Sequence, residues 1–189
     1  MRRFDDFAAD MIPTRLIVSI AIIAAITLLV AFGYRVLSIN SAENKVEQDC
    51  RALESELFSM IASGVPRDVD DMNADDGTMR SFSFNLPDSL VYLSFGVDPD
   101  PDNNGELTTG LTVNGSIIFY MVDGGSKKVV WLNQNFRFRE GILDSNIWVI
   151  NGDGQGYIIQ GGGESTLIFE LVKQKNESFI LIHGTDDLD

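Results

Sequence analysis

The sequence predicts a mainly β fold with one long N-terminal α-helix: a transmembrane and stalk helix followed by an antiparallel β-sandwich-like head. Three observations predict this class. An uninterrupted apolar run lies near the N-terminus, an apolar stripe with helical spacing continues beyond it, and short strand-like segments separated by turn residues fill the remainder. The predicted order is a short cytoplasmic tail (1–15), a transmembrane helix (16–34), an amphipathic stalk helix (35–64), an acidic linker (65–79) and a β-rich extracytoplasmic domain (80–189).

The apolar run extends from Leu16 to Tyr34 without a charged residue and is bracketed by Arg15 and Arg35. As a helix it would be roughly 28 Å long, close to the thickness of the hydrocarbon core of a bilayer. Two alternatives are a buried core helix and a cleaved secretory signal. A signal would have a shorter apolar region and a stretch of small residues after it, for which only the segment 38–42 is available. We therefore expect a membrane span in contact with lipid.

The orientation of the span is less strongly determined, because basic residues are evenly divided between its two sides: Arg2, Arg3 and Arg15 before it, and Arg35, Lys45 and Arg51 after it. Long domains cross a membrane largely regardless of their charge, so we favour a short tail inside the cell. The predicted location is the cell membrane, crossed once, with the β domain on the extracytoplasmic side.

A helical pattern continues beyond the span. Two positions of a heptad repeat are almost wholly apolar: Val36, Glu43, Cys50 and Leu57 on one, and Ile39, Val46, Leu53 and Met60 on the other. Gly64 and Pro66 then predict the end of the helix. The stripe either packs on the β domain of the same chain or meets neighbouring copies. Cys50 lies on it, either as a small buried hydrophobe or as one half of an intermolecular disulfide.

From residue 80 onward the helical spacing of apolar residues ends. Apolar residues instead alternate with polar ones or form short uninterrupted runs. The predicted strands are 80–86, 90–96, 110–114, 116–122, 128–133, 136–140, 147–150, 157–160, 166–173 and 179–183. Turn residues separate them, including the glycines 161–163. Short strands at intervals of roughly ten residues favour an antiparallel sandwich or barrel. The segment 117–122 is apolar on both faces, which predicts a central strand.

Composition excludes several classes of function. Fourteen basic residues against 28 acidic ones give a net charge of −14, which disfavours nucleic-acid binding because phosphate contacts need clustered Lys and Arg. A single Cys and a single His leave the common structural zinc sites incomplete within one chain. Nucleophilic mechanisms that use imidazole would all depend on His183, which we interpret as an ordinary residue at a strand end. The chain is therefore not predicted to be an enzyme.

One loop has oxygen-bearing side chains at the alternating spacing that suits calcium: Asp98, Asp100, Asp102, Asn104 and Glu106. Its inner part matches the start of the Asp-x-Asp-x-Asn-Gly calcium loop, in which side chains two residues apart converge on one ion. The twelfth position, where that loop needs a bidentate Glu, is Leu111. The alternatives are a calcium site and a solvated acidic hairpin loop. No other cofactor is predicted.

The whole arrangement, an apolar N-terminal helix that becomes amphipathic and leads to a β-rich head, resembles the type IV pilin superfamily and especially archaeal pilin-like surface proteins. The stretches Met79–Asp88 (MRSFSFNLPD) and Val91–Gly96 (VYLSFG) are similar to segments of such proteins. The resemblance implies a structural role at the cell surface. In that family the apolar helices pack into a filament core or anchor in the membrane, and the heads face outward.

The function expected from these observations is that of a pilin-like structural component of a cell-surface or secretion-type assembly, anchored by its N-terminal helix. The expected partners are membrane lipid, other copies of the chain or pilin-like proteins that contact the same helix, and no nucleic acid. The alternative is a membrane-tethered extracytoplasmic β domain that binds a ligand or a partner protein, through an exposed apolar patch or a working metal loop.

Overall fold

The computed structural model describes residues 5–71, 73–107, 116–133, 137–144, 147–151, 156–175 and 177–184, with side chains from residue 14 onward. One helix, α1 (Asp5–Ser63), precedes a series of strands: β1 (Arg67–Asp68), β2 (Met79–Leu86), β3 (Leu90–Phe95), β4 (Ile117–Val122), β5 (Lys128–Trp131), β6 (Phe138–Asp144), β7 (Ile147–Ile150), β8 (Tyr157–Gln160), β9 (Gly163–Gln174) and β10 (Glu177–Gly184). The fold class, a long N-terminal helix followed by a mainly β head, is confirmed.

The chain divides into two compact units, residues 1–40 and residues 41–189. In the first unit, α1 begins at Asp5, and its side chains from Leu16 to Leu37 are exposed. The second unit contains the remainder of α1, residues 41–63, together with the strands. We call this second unit the head. The predicted stalk helix therefore belongs largely to the head.

The C-terminal end of α1 is set by backbone geometry that only glycine allows. The Gly64 amide donates to the Met60 carbonyl over 2.7 Å, and a Cβ atom at Gly64 would lie 2.3 Å from that same carbonyl oxygen. Real Cβ atoms do not approach that closely, so any other residue would displace the chain. The next amide, that of Val65, donates to the Thr78 hydroxyl over 2.9 Å, outside the helix. The helix thus ends where Gly64 and Pro66 predict.

The strands form two sheets. Sheet A has the order β1-β9-β10-β6-β7, and β2 also pairs with β9 because β9 is long enough to hold two partners along one edge. Sheet B has the order β5-β4-β3-β8. The strand that is apolar on both faces, β4, lies between two others, as predicted. Each predicted strand within the described residues is present, and the predicted strand 110–114 lies outside them.

The head is a mixed β structure and not a wholly antiparallel one. In sheet A, β10 runs parallel to β6, with Ile180 opposite Phe138, and β1 runs parallel to β9, with Arg67 opposite Val172. Hairpins join consecutive strands antiparallel, but β6 and β10 are separated by a long connection that passes through both sheets. A connection of that length permits parallel pairing, which local turn signals do not reveal.

The core of the head includes a group of aromatic rings shared by the two sheets. Phe95 of β3 lies 5.9, 5.7 and 6.0 Å, ring centre to ring centre, from Phe84, Phe138 and Phe169 of sheet A. All four rings are tilted or edge-on, the arrangement that aromatic pairs prefer. Their side chains are almost completely buried. Phenylalanines from both sheets thus supply part of the contact between the sheets.

Candidate functional site

The apolar part of α1 is long and apolar enough to cross a membrane, with a mean hydropathy of 2.8 over its most apolar stretch. None of that stretch is buried. A core helix of a soluble domain would be covered by the rest of the chain. The exposure of this stretch therefore contradicts the alternative of a buried core helix. Within the part of the chain that the structure describes, α1 is the one helix that has these properties.

The apolar stripe of α1 is buried within the chain itself. Its members in the head are each at most 1% exposed: Val46, Cys50, Leu53, Leu57 and Met60. Because residues 41–63 belong to the same compact unit as the strands, this burial confirms the first interpretation of the stripe, packing on the β domain of the same chain. The helix is therefore part of the core of the head.

Polar side chains of α1 cover the edge of sheet B. Arg51 donates to the Trp131 carbonyl of β5 over 3.1 Å, and the Glu54 carboxylate accepts the Asn133 amide over 2.7 Å. Arg51 and Glu54 also pair with each other over 3.0 Å. Unpaired groups on an edge strand are a template for association with another chain. The two side chains form hydrogen bonds with the Trp131 carbonyl and the Asn133 amide at the end of β5, so these backbone groups cannot pair with a strand of another chain.

Cys50 is completely buried beneath the strands, which confirms its interpretation as a small core hydrophobe. Burial, reinforced by the neighbouring Asp49 carboxylate, raises the pKa of its thiol to about 12. Only the thiolate reacts readily with electrophiles. A buried, protonated thiol cannot form a disulfide between copies while the head remains folded.

We expect Cys50 in the native chain to react with a maleimide at pH 8 about a thousandfold more slowly than in urea, because its thiolate fraction is that much smaller. The matched control is Ser55→Cys in a Cys50→Ala background, which places a thiol on the exposed face of α1. This control should react equally fast in both conditions. Rapid native labelling of Cys50, or a disulfide-linked dimer on a non-reducing gel, would contradict the expectation.

The acidic loop after β3 is closed by contacts within the protein. The Asp100 carboxylate accepts the amides of Asn104 and Gly105 over 2.9 and 3.1 Å, so it turns inward toward its own loop. Asp98 accepts the Asp100 amide through one oxygen, and its other oxygen lies 2.8 Å from the Lys127 ammonium group. That ammonium group also donates to the Asp100 carbonyl over 2.7 Å. Lys127 thus supplies a positive charge to the loop.

The remaining residues of the calcium prediction do not join this cluster as a common ligand set. Asp102, Asn104 and Glu106 are exposed, and the Asn104 side chain accepts the Glu106 amide over 2.8 Å. Among the described residues, no group of three or more His, Cys, Asp or Glu side chains is placed to hold a metal ion. The geometry favours the acidic-loop interpretation, and calcium binding stays a prediction.

Replacing Lys127 with methionine is expected to lower the free energy of unfolding by about 1–3 kcal/mol, because Asp98 and the Asp100 carbonyl lose a largely buried donor. We expect the loss to be the same in calcium and in a chelator, measured by urea denaturation in detergent. Lys175→Met, at a turn between β9 and β10, is the matched control and should have little effect. A melting temperature that rises with millimolar calcium would instead support the metal site.

A buried ion pair connects β1 with β9, and no pattern in the sequence predicts a site there. The Arg67 guanidinium group donates to both oxygens of Glu170, over 2.6 and 2.8 Å, and to the Trp148 carbonyl over 2.8 Å. Glu170 also accepts the Gly77 amide. The hydrogen bonds from Arg67 to Glu170 raise the pKa of the guanidinium group further above its usual range. The pair joins the linker after α1 to β9 and β7.

The single histidine, His183, packs in the interior of the head. His183 lies in β10 and is 1% exposed, and its ring stacks on Trp148 of β7, with ring centres 3.9 Å apart and planes within 11°. Such packing on an aromatic face matches the interpretation of His183 as an ordinary strand residue.

With this geometry established, comparison with known proteins adds no assignment: no family model, no curated protein and no solved structure matches the chain.

Proposed function

We propose that this chain is a membrane-anchored structural protein of the cell surface, similar in build to archaeal type IV pilin-like proteins. One observation carries the proposal. The apolar, unburied run from Leu16 to Tyr34 lies in the same helix, α1, whose residues 41–63 supply core side chains to the head. The same helix thus contains the proposed anchor and, in residues 41–63, a core helix of the head.

The head carries a large excess of acidic residues. From Val36 onward the sequence has 10 basic and 25 acidic residues. An acidic surface keeps a domain soluble and makes neighbouring heads repel each other at close range. Because long domains cross a membrane largely regardless of their charge, this acidity does not prevent export, and we place the short N-terminal tail in the cytoplasm and the head outside the cell.

The test is the intact mass of the protein from native membranes, combined with extraction by alkaline carbonate. Retention in the carbonate-washed membrane, with the run 16–34 present in the measured mass, is the expected result. A mass that begins after Tyr34 would overturn the anchor, because the head would then be a secreted domain.

Assembly is tested separately, by shearing intact cells and analysing the released material. Loss of the residues before the apolar run, with recovery in sheared filaments, supports a structural subunit. A full-length, monomeric chain that stays in the membrane contradicts the structural role and favours the tethered binding domain instead.

A further inference from the structure

A cavity of about 180 Å³ lies between the linker after α1 and strand β7. Val69 and Ala74 of the linker and Ile147 and Val149 of β7 form its apolar wall. We call it the linker cavity. Its lining belongs entirely to the head. A concave, largely apolar site with a few polar groups is the general form of a binding site for a small ligand.

Carboxylates complete the lining of the linker cavity. Asp71, Asp76 and Asp144 contribute to its wall. The one cation in the wall is Arg67, and both oxygens of Glu170 already bind it. Asp71 and Asp76 are exposed and form no salt bridge among the residues that the structure describes. One Asp71 oxygen accepts the Asn73 amide over 3.0 Å, and the Asp76 charge adds to the rise in the pKa of Arg67. The cavity therefore combines apolar walls with an excess of negative charge.

We infer that the linker cavity binds an aliphatic ammonium group, as found in a small alkyl diamine or in a lysine side chain. A hydrocarbon stem would lie against Val69, Ile147 and Val149, and its charged end would reach the carboxylates, as long cationic side chains do at protein surfaces. A metal ion fits less well, because no described group of three or more His, Cys, Asp or Glu side chains converges closely enough to ligate one.

The test uses the full chain in detergent at low ionic strength. Trp131→Phe leaves Trp148 as the one tryptophan of the chain. The Trp148 ring packs on His183, and its carbonyl accepts from Arg67 of the cavity wall, so the ring reports on the cavity through that contact. We expect n-butylammonium to change Trp148 fluorescence saturably and to release measurable heat in calorimetry. The neutral analogue 1-butanol should bind at least about tenfold more weakly, because it lacks the charge that the carboxylates stabilise.

Asp76→Asn should weaken butylammonium binding about tenfold, since it removes one charged partner from the cavity. The matched control is Asp102→Asn, which makes the same change in net charge on an exposed residue of the acidic loop. It should leave binding unchanged. Maleimide protection of Cys50 shows that each variant still has a folded head, so weaker binding cannot be attributed to unfolding.

Four results would overturn the inference: absence of both a fluorescence change and a heat signal; equal binding of butanol; equal weakening by Asp102→Asn; and displacement of butylammonium by equimolar calcium or magnesium.

Two further probes identify the source of the ammonium group. Tighter binding of 1,5-diaminopentane than of N-acetyl-lysine methylamide would indicate a free diamine. Tighter binding of the blocked lysine would indicate a lysine of a partner protein.

Discussion

Replacing Ile23 and Ala25 together with arginine is expected to release the chain from the membrane. Both residues lie near the middle of the apolar run and are exposed in α1. Each arginine at the centre of a span costs about 2.5–3.5 kcal/mol of insertion free energy, so the pair costs about 5–7 kcal/mol. The measurement is the fraction of protein that remains in membranes after a carbonate wash.

The matched control for this variant carries the same two charges elsewhere on α1. Ala52→Arg with Ser55→Arg adds them to the exposed face of the helix within the head, and we expect this protein to stay in the membrane. Cys50 protection from maleimide reports whether the head of each variant is folded. Membrane retention of the mid-span variant with a folded head would contradict a transmembrane position for residues 16–34.

Glu170→Ala is expected to lower the free energy of unfolding by about 3–5 kcal/mol. Glu170 is completely buried and Arg67 is 7% exposed, so the substitution leaves a guanidinium charge in the protein interior without its counter-ion. The Gly77 amide loses its acceptor in the same variant. Urea denaturation of the full chain in detergent, followed by tryptophan fluorescence, measures the loss.

Two comparisons distinguish loss of the buried pair from general damage. Arg137 and Glu177 form a solvent-exposed pair with a similar distance of 2.6 Å, and Glu177→Ala should cost less than about 1 kcal/mol. The double variant Arg67→Met with Glu170→Met should lose less stability than the two single variants combined, because no charge is left unpaired. Equal losses for Glu170→Ala and Glu177→Ala would show that burial of the pair does not matter.

Local signals in the sequence predicted much of the fold. Gly64 and Pro66 indicated the end of α1, and Gly64 has the close backbone contact that explains why glycine is needed there. The apolar stripe indicated which residues of α1 are buried, and the alternating and short apolar segments after residue 80 indicated the strands. These features depend on residues only a few positions apart, so periodicity and turn chemistry reveal them.

Contacts between distant residues could not be predicted in this way. Arg67 and Glu170 are 103 positions apart, and neither belongs to a pattern that indicates a partner. Lys127 lies 29 positions from Asp98, so the acidic loop gave no sign that an ammonium group from another segment would reach it. The linker cavity needs β7 and the linker to meet, which follows only from the strand order of sheet A.

That strand order also has a consequence for biogenesis. Among the described strands, β10 comes latest in the sequence and lies between β9 and β6, so sheet A is completed only after its other strands have been synthesised. Pairing of β6 with β10 closes a long loop, a slow step that follows synthesis rather than accompanying it. An exported head would therefore cross the translocation channel as an extended polypeptide and fold on the far side. A premature stop codon before β10 would leave the backbone groups of β6 and β9 that pair with β10 without a partner strand, and such open edges mark a chain for quality-control proteases.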